Sequence, residues 1–459
     1  PLRRLAQRIQ AERAGRGDDR QGAARAVTTF EELPAGESGL LSARPGPDLA
    51  ERGYVEREYV ARGTAESYAG HQPAPYATRV VVRRPLAPGS FSGTVVVEWL
   101  NVSSGSDAAP DWTYLSDEIV RRGHAWVGVS AQFVGVEGGD AVVGVAGVPT
   151  TGIKGRARYA ALSHPGDAYC YSIYGSIAAA LDEGPLADLV VDVRLAVGES
   201  QSAYALTTFV NVVHQQLPVF GGFLVHSRGR GAMPLGEPGR PADPREARSS
   251  ASPVSIRDDL DVPVIMVQTE TDLVGVLDYL PARQDDSELV RLWEVAGTAH
   301  ADRFQIGEFE ELLGCPRPVN RGQQAYVVRA ALHWLDGWAR GGDPAPSAPR
   351  LEVAGRQLVL DDSGNTRGGV RTPVVDAPVE LLRGDSDPEA SYVCQLFGST
   401  LPMEPEAIRA RYADRGAYMA AFERATDAAI AAGFVLPEDR DEVLAEARPA
   451  LVEAAFHEA

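Results

Sequence analysis

The chain has 459 residues, enough for one large domain or two to three smaller ones. Hydrophobic residues make up 44% and charged residues 23%, a globular rather than a disordered composition. A formal charge of −19 argues against nucleic acid or an anionic membrane surface as partner, and no apolar run is long enough to span a bilayer.

Along the chain, residues 1–30 form a polar segment. It is basic but has no apolar centre, so it does not read as a signal peptide. The chain starts without methionine, and a removed leader stays open. Residues 54–68 alternate like a strand and are read as part of the first hairpin; residues 79–83 follow as another strand, closed by Pro85. GTVVVEWL at 93–100 is the strongest strand, being rich in β-branched residues. An amphipathic helix over 111–122 ends at Gly123, and the next strand covers 124–130. Strands alternating with helices in this way predict an α/β fold with a parallel, doubly wound sheet.

Two insertions break the rhythm. Residues 132–165 are glycine-rich and precede a helix over 167–183. Residues 228–261 are rich in proline, arginine and serine and follow the strand 221–226. Long connections at the carboxyl edge of such a sheet shape the substrate pocket; the plain alternative for each is a surface loop. A helix over 322–338 is followed by GGDPAPS at 341–347. That stretch marks a boundary between a catalytic domain over 31–342 and a carboxyl-terminal elaboration over 343–459 packed on it. The latter is expected to hold short strands within 351–360 and helices at 405–412, 415–432 and 438–447.

The most informative motif is GESQS at 198–202, set between the apolar run Leu195, Ala196, Val197 and a helical stretch. A strand turning sharply into a helix through G-x-S-x-small is a nucleophile elbow, which strains the serine backbone and exposes its hydroxyl. Ser202 stands where the pattern usually has glycine. Downstream, the strand over 263–268 ends in TETD (269–272), and the strand over 290–295 leads to AGTAH (296–300). Serine, acid, histidine is the chain order this chemistry uses. A serine hydroxyl is a poor nucleophile until an imidazole takes its proton, and the imidazole needs a carboxylate to fix its tautomer. Ser200 is therefore read as nucleophile and His300 as general base. Asp272 is the preferred orienting acid and Glu270, two residues earlier on the same face, the alternative. The plain alternative for the set is a turn serine and a capping histidine.

The oxyanion hole is expected to combine the backbone N–H of Gln201 with one from the turn at Asn101, Val102 and Ser103, foremost Val102. The Asn101 side chain either helps or bonds its own turn. Candidate pocket residues are Glu199, Tyr204, His226, Trp99 and Phe133, with packing inside the fold as the plain reading for each. His164 and Asp167 read as a loop-to-helix entry with Asp167 as cap. Cys170, Cys315 and Cys394, odd in number and far apart, are expected as buried free thiols in a reducing, cytoplasmic setting. No metal-ligand spacing stands out, and no cofactor or structural metal is expected.

The segments VVVEWLNVSSG, LSHPGDAYCYSI, VGESQSAYALTTFVN, GGFLVHSRG, PVIMVQTETD and AGTAHAD resemble the bacterial α/β-hydrolase domain-containing proteins of the serine-esterase class. GGVRTPVVDAPV, LFGSTLPM and AAGFVLPEDRDEVL in the carboxyl-terminal part resemble them too. The resemblance implies an α/β-hydrolase fold over most of the chain and serine-hydrolase chemistry. The resulting expectation is a carboxylic-ester hydrolase acting on a small ester or acyl substrate through an acyl-enzyme. A lactonase, amidase or thioesterase would use the same residues, as would an acyltransferase; a non-catalytic binding module is the remaining alternative. The sequence specifies neither substrate nor oligomeric state.

Overall fold

The computed structural model describes residues 28–457 apart from 37, 38, 43, 45, 145–149, 151 and 251. The expected polar segment at 1–30 lies almost wholly outside the described residues, as does part of the first insertion.

Nine strands form one sheet in the order β1-β2-β3-β5-β4-β6-β7-β8-β9. They are β1 (Thr29–Glu32), β2 (Tyr54–Ala65), β3 (Ala74–Pro85), β4 (Thr94–Trp99), β5 (Ala125–Val129), β6 (Val193–Glu199), β7 (Gly222–His226), β8 (Val264–Thr269) and β9 (Val290–Val295). From β1 through β3 to β5 the pairing is antiparallel. From β5 through β4 to β9 every pairing is parallel. The hairpin predicted near residues 54–68 uses residues 54–65 of that segment as one long strand. Its partner is β3, in register from Tyr54↔Pro85 to Ala65↔Ala74.

Alternation along the strands sorts side chains onto two faces. Val95, Val97 and Trp99 of β4 join one core with Tyr171, Ile173, Tyr174 and Ile177 of α2 (Cys170–Ala180) and Leu206 of α3 (Gln201–Thr208). Val96 joins the opposite core with Trp112, Leu115 and Ile119 of α1 (Pro110–Arg121) and Val328, Leu332 and Leu335 of α4 (Gln324–Ala339). Both faces are covered, which is why these strands read as nearly unbroken apolar runs.

The chain goes from β4 to β5 on one side and then to β6 on the other, so the winding direction reverses between β4 and β6, which are hydrogen-bonded neighbours. The crevice outside the carboxyl ends of strands at such a switch point is where open α/β sheets place ligands. Ser200 follows β6 directly, and Asn101 follows β4.

The chain beyond residue 342 packs on the β9 edge and on α4. Val295 pairs with Val370, the ring of Phe434 meets that of Trp293 edge-on at 5.1 Å, and Tyr326 of α4 sits in one core with Ile408, Tyr412, Tyr418 and Phe422. A last helix at Pro449–His457, absent from the sequence expectation, completes that core through Val452 and Ala455. The cysteines correct the expectation of three free thiols: Cys315 and Cys394 form a disulfide, and only Cys170 is free and buried. Seventy-nine residues separate the two partners, and only the fold brings them to a Cα–Cα distance of 5.5 Å. The pairing removes the reason for expecting a reducing compartment.

Candidate active site

The elbow is built as its sequence requires. Ser200 has φ 60° and ψ −119°, a left-handed conformation costly for a side-chain-bearing residue. Its N–H is held by the His226 carbonyl of β7 at 2.9 Å, and α3 starts at the next residue. A Cβ on Gly198 would meet Leu206 Cδ1 and Ser202 Cβ, both at 3.0 Å, so glycine there lets strand and helix meet. Ser202 is fully buried at this contact, which shows why a small residue serves where the motif has glycine.

Ser200 Oγ lies 2.7 Å from His300 Nε2, and His300 Nδ1 lies 2.7 Å from Asp272 Oδ1. Asp272 is itself fixed. Its Oδ2 accepts the Thr269 N–H at 2.7 Å while the Thr269 hydroxyl accepts the Asp272 N–H, forming a capping box at the end of β8. Glu270 points elsewhere. Its carboxylate accepts the N–H of Gly297 at 2.7 Å and of Gly384 at 2.9 Å, tying the loop that carries His300 to the carboxyl-terminal part of the chain. Burial raises the Glu270 carboxyl, and the hydrogen bonds from Gly297 and Gly384 oppose that rise.

Glu199 is buried, with Oε1 3.6 Å from His300 Nε2. Burial, then the nearby charges of Asp111 and Asp272, push its carboxyl well above the usual carboxylate range. It touches the histidine, as its place beside Ser200 suggests. Asp302, which sequence reasoning did not single out, lies two residues past His300. It accepts hydrogen bonds from Tyr114, Gln324 and the Gln305 N–H.

The other candidates sort differently. His226 is wholly buried on the face opposite α2, where its Nδ1 pairs with Asp111 Oδ1 at 3.0 Å. Trp99 is also wholly buried, packed on Tyr171 and Tyr174. Neither is a pocket wall, because strand alternation turns both side chains into the layers of the fold. Tyr204 is buried next to Gly229, and Phe133 is half-buried, edge-on to His164 at 6.1 Å. Asp167 is no helix cap; its carboxylate accepts the N–H groups of Phe133 at 2.7 Å and Ala242 at 2.8 Å.

In the turn after β4, the two expected donors are already engaged. Asn101 gives its side-chain N–H to the Glu199 carbonyl at 3.0 Å and accepts the Ser103 N–H at 2.8 Å. The Val102 N–H donates to Gln201 Oε1 at 3.1 Å. The Gln201 backbone N–H has no acceptor among the described residues.

The mostly parallel sheet, its helices on both faces and a serine at a strained strand–helix turn define an α/β hydrolase. The chain belongs to the family described as "Alpha/beta hydrolase domain", whose model matches residues 25–445. No curated protein matches it by sequence. Among solved structures it is similar to a serine hydrolase without lid from Xanthomonas campestris (13% identity, TM-score 0.28, covering 52% of this chain and 85% of that one). It is also similar to fungal esterases from Rhizomucor miehei (12%, 0.33, 62% and 84%) and to a glucuronoyl esterase from Solibacter usitatus (9%, 0.29, 60% and 83%). These values are too low to carry an argument about substrate. Among the described residues no helix is long and apolar enough to cross a membrane, and no group of three or more His, Cys, Asp and Glu could hold a metal ion.

Proposed function

We propose that the protein is a serine hydrolase of small carboxylic esters. The observation that carries this reading is the relay from Ser200 Oγ through His300 to Asp272, both links 2.7 Å, with the serine on a strained elbow. Ser200 Oγ attacks the ester carbonyl as His300 Nε2 takes its proton. The negative oxygen forms beside the Gln201 N–H at the start of α3. The tetrahedral intermediate collapses, the C–O bond to the alcohol breaks, and His300 returns the proton to the departing oxygen. Water, deprotonated by His300, then attacks the acyl-enzyme; its collapse frees the acid and restores the serine. Asp272 holds Nδ1 protonated throughout and steadies the imidazolium. Lactones, thioesters and amides would pass through the same intermediate, and an acceptor alcohol in place of water would make the protein an acyltransferase.

A panel of p-nitrophenyl esters of increasing acyl length tests the reading. Hydrolysis by the wild type, lost by at least about 10³-fold in Ser200→Ala with the fold intact, is the expected outcome. Equal rates for the two proteins would overturn it.

A further inference from the structure

Resting on the esterase reading above, a row of buried side chains outside the serine relay gains a role. The Val102 N–H donates to Gln201 Oε1 at 3.1 Å, and Gln201 Nε2 donates to Gln132 Oε1 at 2.7 Å. The Trp99 indole N–H donates to that same Gln132 oxygen at 3.0 Å. All three side chains are buried, with Gln132 and Gln201 no more than 4% exposed. The row thus runs from the turn after β4 through Gln201 to Gln132. Hydrogen bonds aligned in this way polarise one another, and a buried carboxamide with both ends satisfied has one orientation.

The geometry points to Gln132 and Gln201 as positioning residues that fix the turn at 101–103 against the nucleophile elbow. Three separate parts of the chain meet in the row: β4 supplies Trp99 and the turn, the connection after β5 supplies Gln132, and the elbow helix supplies Gln201. The residue after Gln132, Phe133, has its N–H held by the Asp167 carboxylate, which also accepts the Ala242 N–H, one residue from each of the two long insertions. A Gln201 carboxamide gripped at both ends is a brace for the Val102 peptide, and its backbone N–H stays free to receive the developing negative oxygen. An error of about 1 Å in such a donor is enough to cost about a hundredfold in rate.

The experiment uses wild-type protein that reacts at Ser200 and hydrolyses p-nitrophenyl acetate; protein that does neither refutes the esterase reading itself and not this one alone. In Gln132→Leu, kcat should fall by at least about 30-fold with KM within about threefold, and affinity for phenylboronic acid, which forms a tetrahedral serine adduct, should fall in parallel. Trp99→Phe keeps an aromatic ring and removes one donor, so it reads the same effect at smaller size if Gln132→Leu does not fold. A folded Gln132→Leu with unchanged kcat and boronate affinity overturns the inference. So does a Gln201→Leu protein faster than wild type, since the carboxamide would then be blocking Val102 rather than bracing it.

Discussion

At the scale of single residues, the site separates two acids that stand two positions apart. Asp272 faces the imidazole, while Glu270 bolts Gly297 to Gly384. Their amides should therefore fail in different ways. Asp272→Asn is expected to lower kcat by about 10³–10⁴-fold while leaving the melting temperature nearly unchanged, as loss of the correct imidazole tautomer does in such relays. Glu270→Gln leaves one buried N–H without an acceptor, so it should cost about 1–3 kcal/mol of stability and little of kcat in the folded protein. Kinetics beside urea unfolding distinguishes them; the reverse pattern would return Glu270 to the role of orienting acid.

Asp302 offers a test by pH. Burial pushes its carboxyl up to about 6, against the hydrogen bonds from Gln305, Gln324 and Tyr114. Because its folded value lies above the unfolded value of about 3.9, its contribution to stability is full below that value and is lost as pH rises through about 6. Relative to Asp302→Asn, the wild type should thus lose about 2–3 kcal/mol between pH 4 and pH 7.5. Urea midpoints of both proteins across that range check this; a pH-independent difference contradicts it.

At the scale of elements, the turn from β6 into α3 depends on contact between Gly198, Ser202 and Leu206. Gly198→Val adds a branched side chain where a single Cβ is already at 3.0 Å. It should destabilise by about 1–3 kcal/mol and reduce kcat by more than about tenfold, measured by thermal melting and ester kinetics. Unchanged activity would mean the elbow tolerates a wider separation of strand and helix.

Much of this was legible in the sequence. The parallel strands announced themselves as short apolar runs because helices cover both faces, and Ser200, Asp272 and His300 each follow one of those runs. What was not legible has a common cause: it depends on which strands are neighbours. Residue type does not say which face of β4 carries Trp99, or that β7 turns His226 towards α1. Nor does spacing show that Gln132, after β5, meets Gln201, after β6. Asp272 and Glu270 share a strand end, and only the direction of each side chain tells them apart.

At the scale of the whole molecule, the carboxyl-terminal part of the chain and the loop that carries His300 are mechanically linked. Glu270 ties the loop before His300 to Gly384, and the disulfide joins Cys315 to Cys394. Closing a loop of 79 residues removes conformational freedom from the unfolded chain and should contribute about 2–4 kcal/mol. Denatured but unreduced protein should titrate one thiol, that of Cys170, and the double variant Cys315→Ala with Cys394→Ala should unfold at lower urea. Three titratable thiols would contradict the pairing.

The central claim is that Ser200 is an activated nucleophile. Its most direct test is reaction with a fluorophosphonate followed by intact mass and peptide mapping. The account predicts one adduct per chain, on Ser200, formed by the wild type and absent from Ser200→Ala. Folded wild-type protein that takes up no phosphonate, or takes it up at another residue, would contradict it.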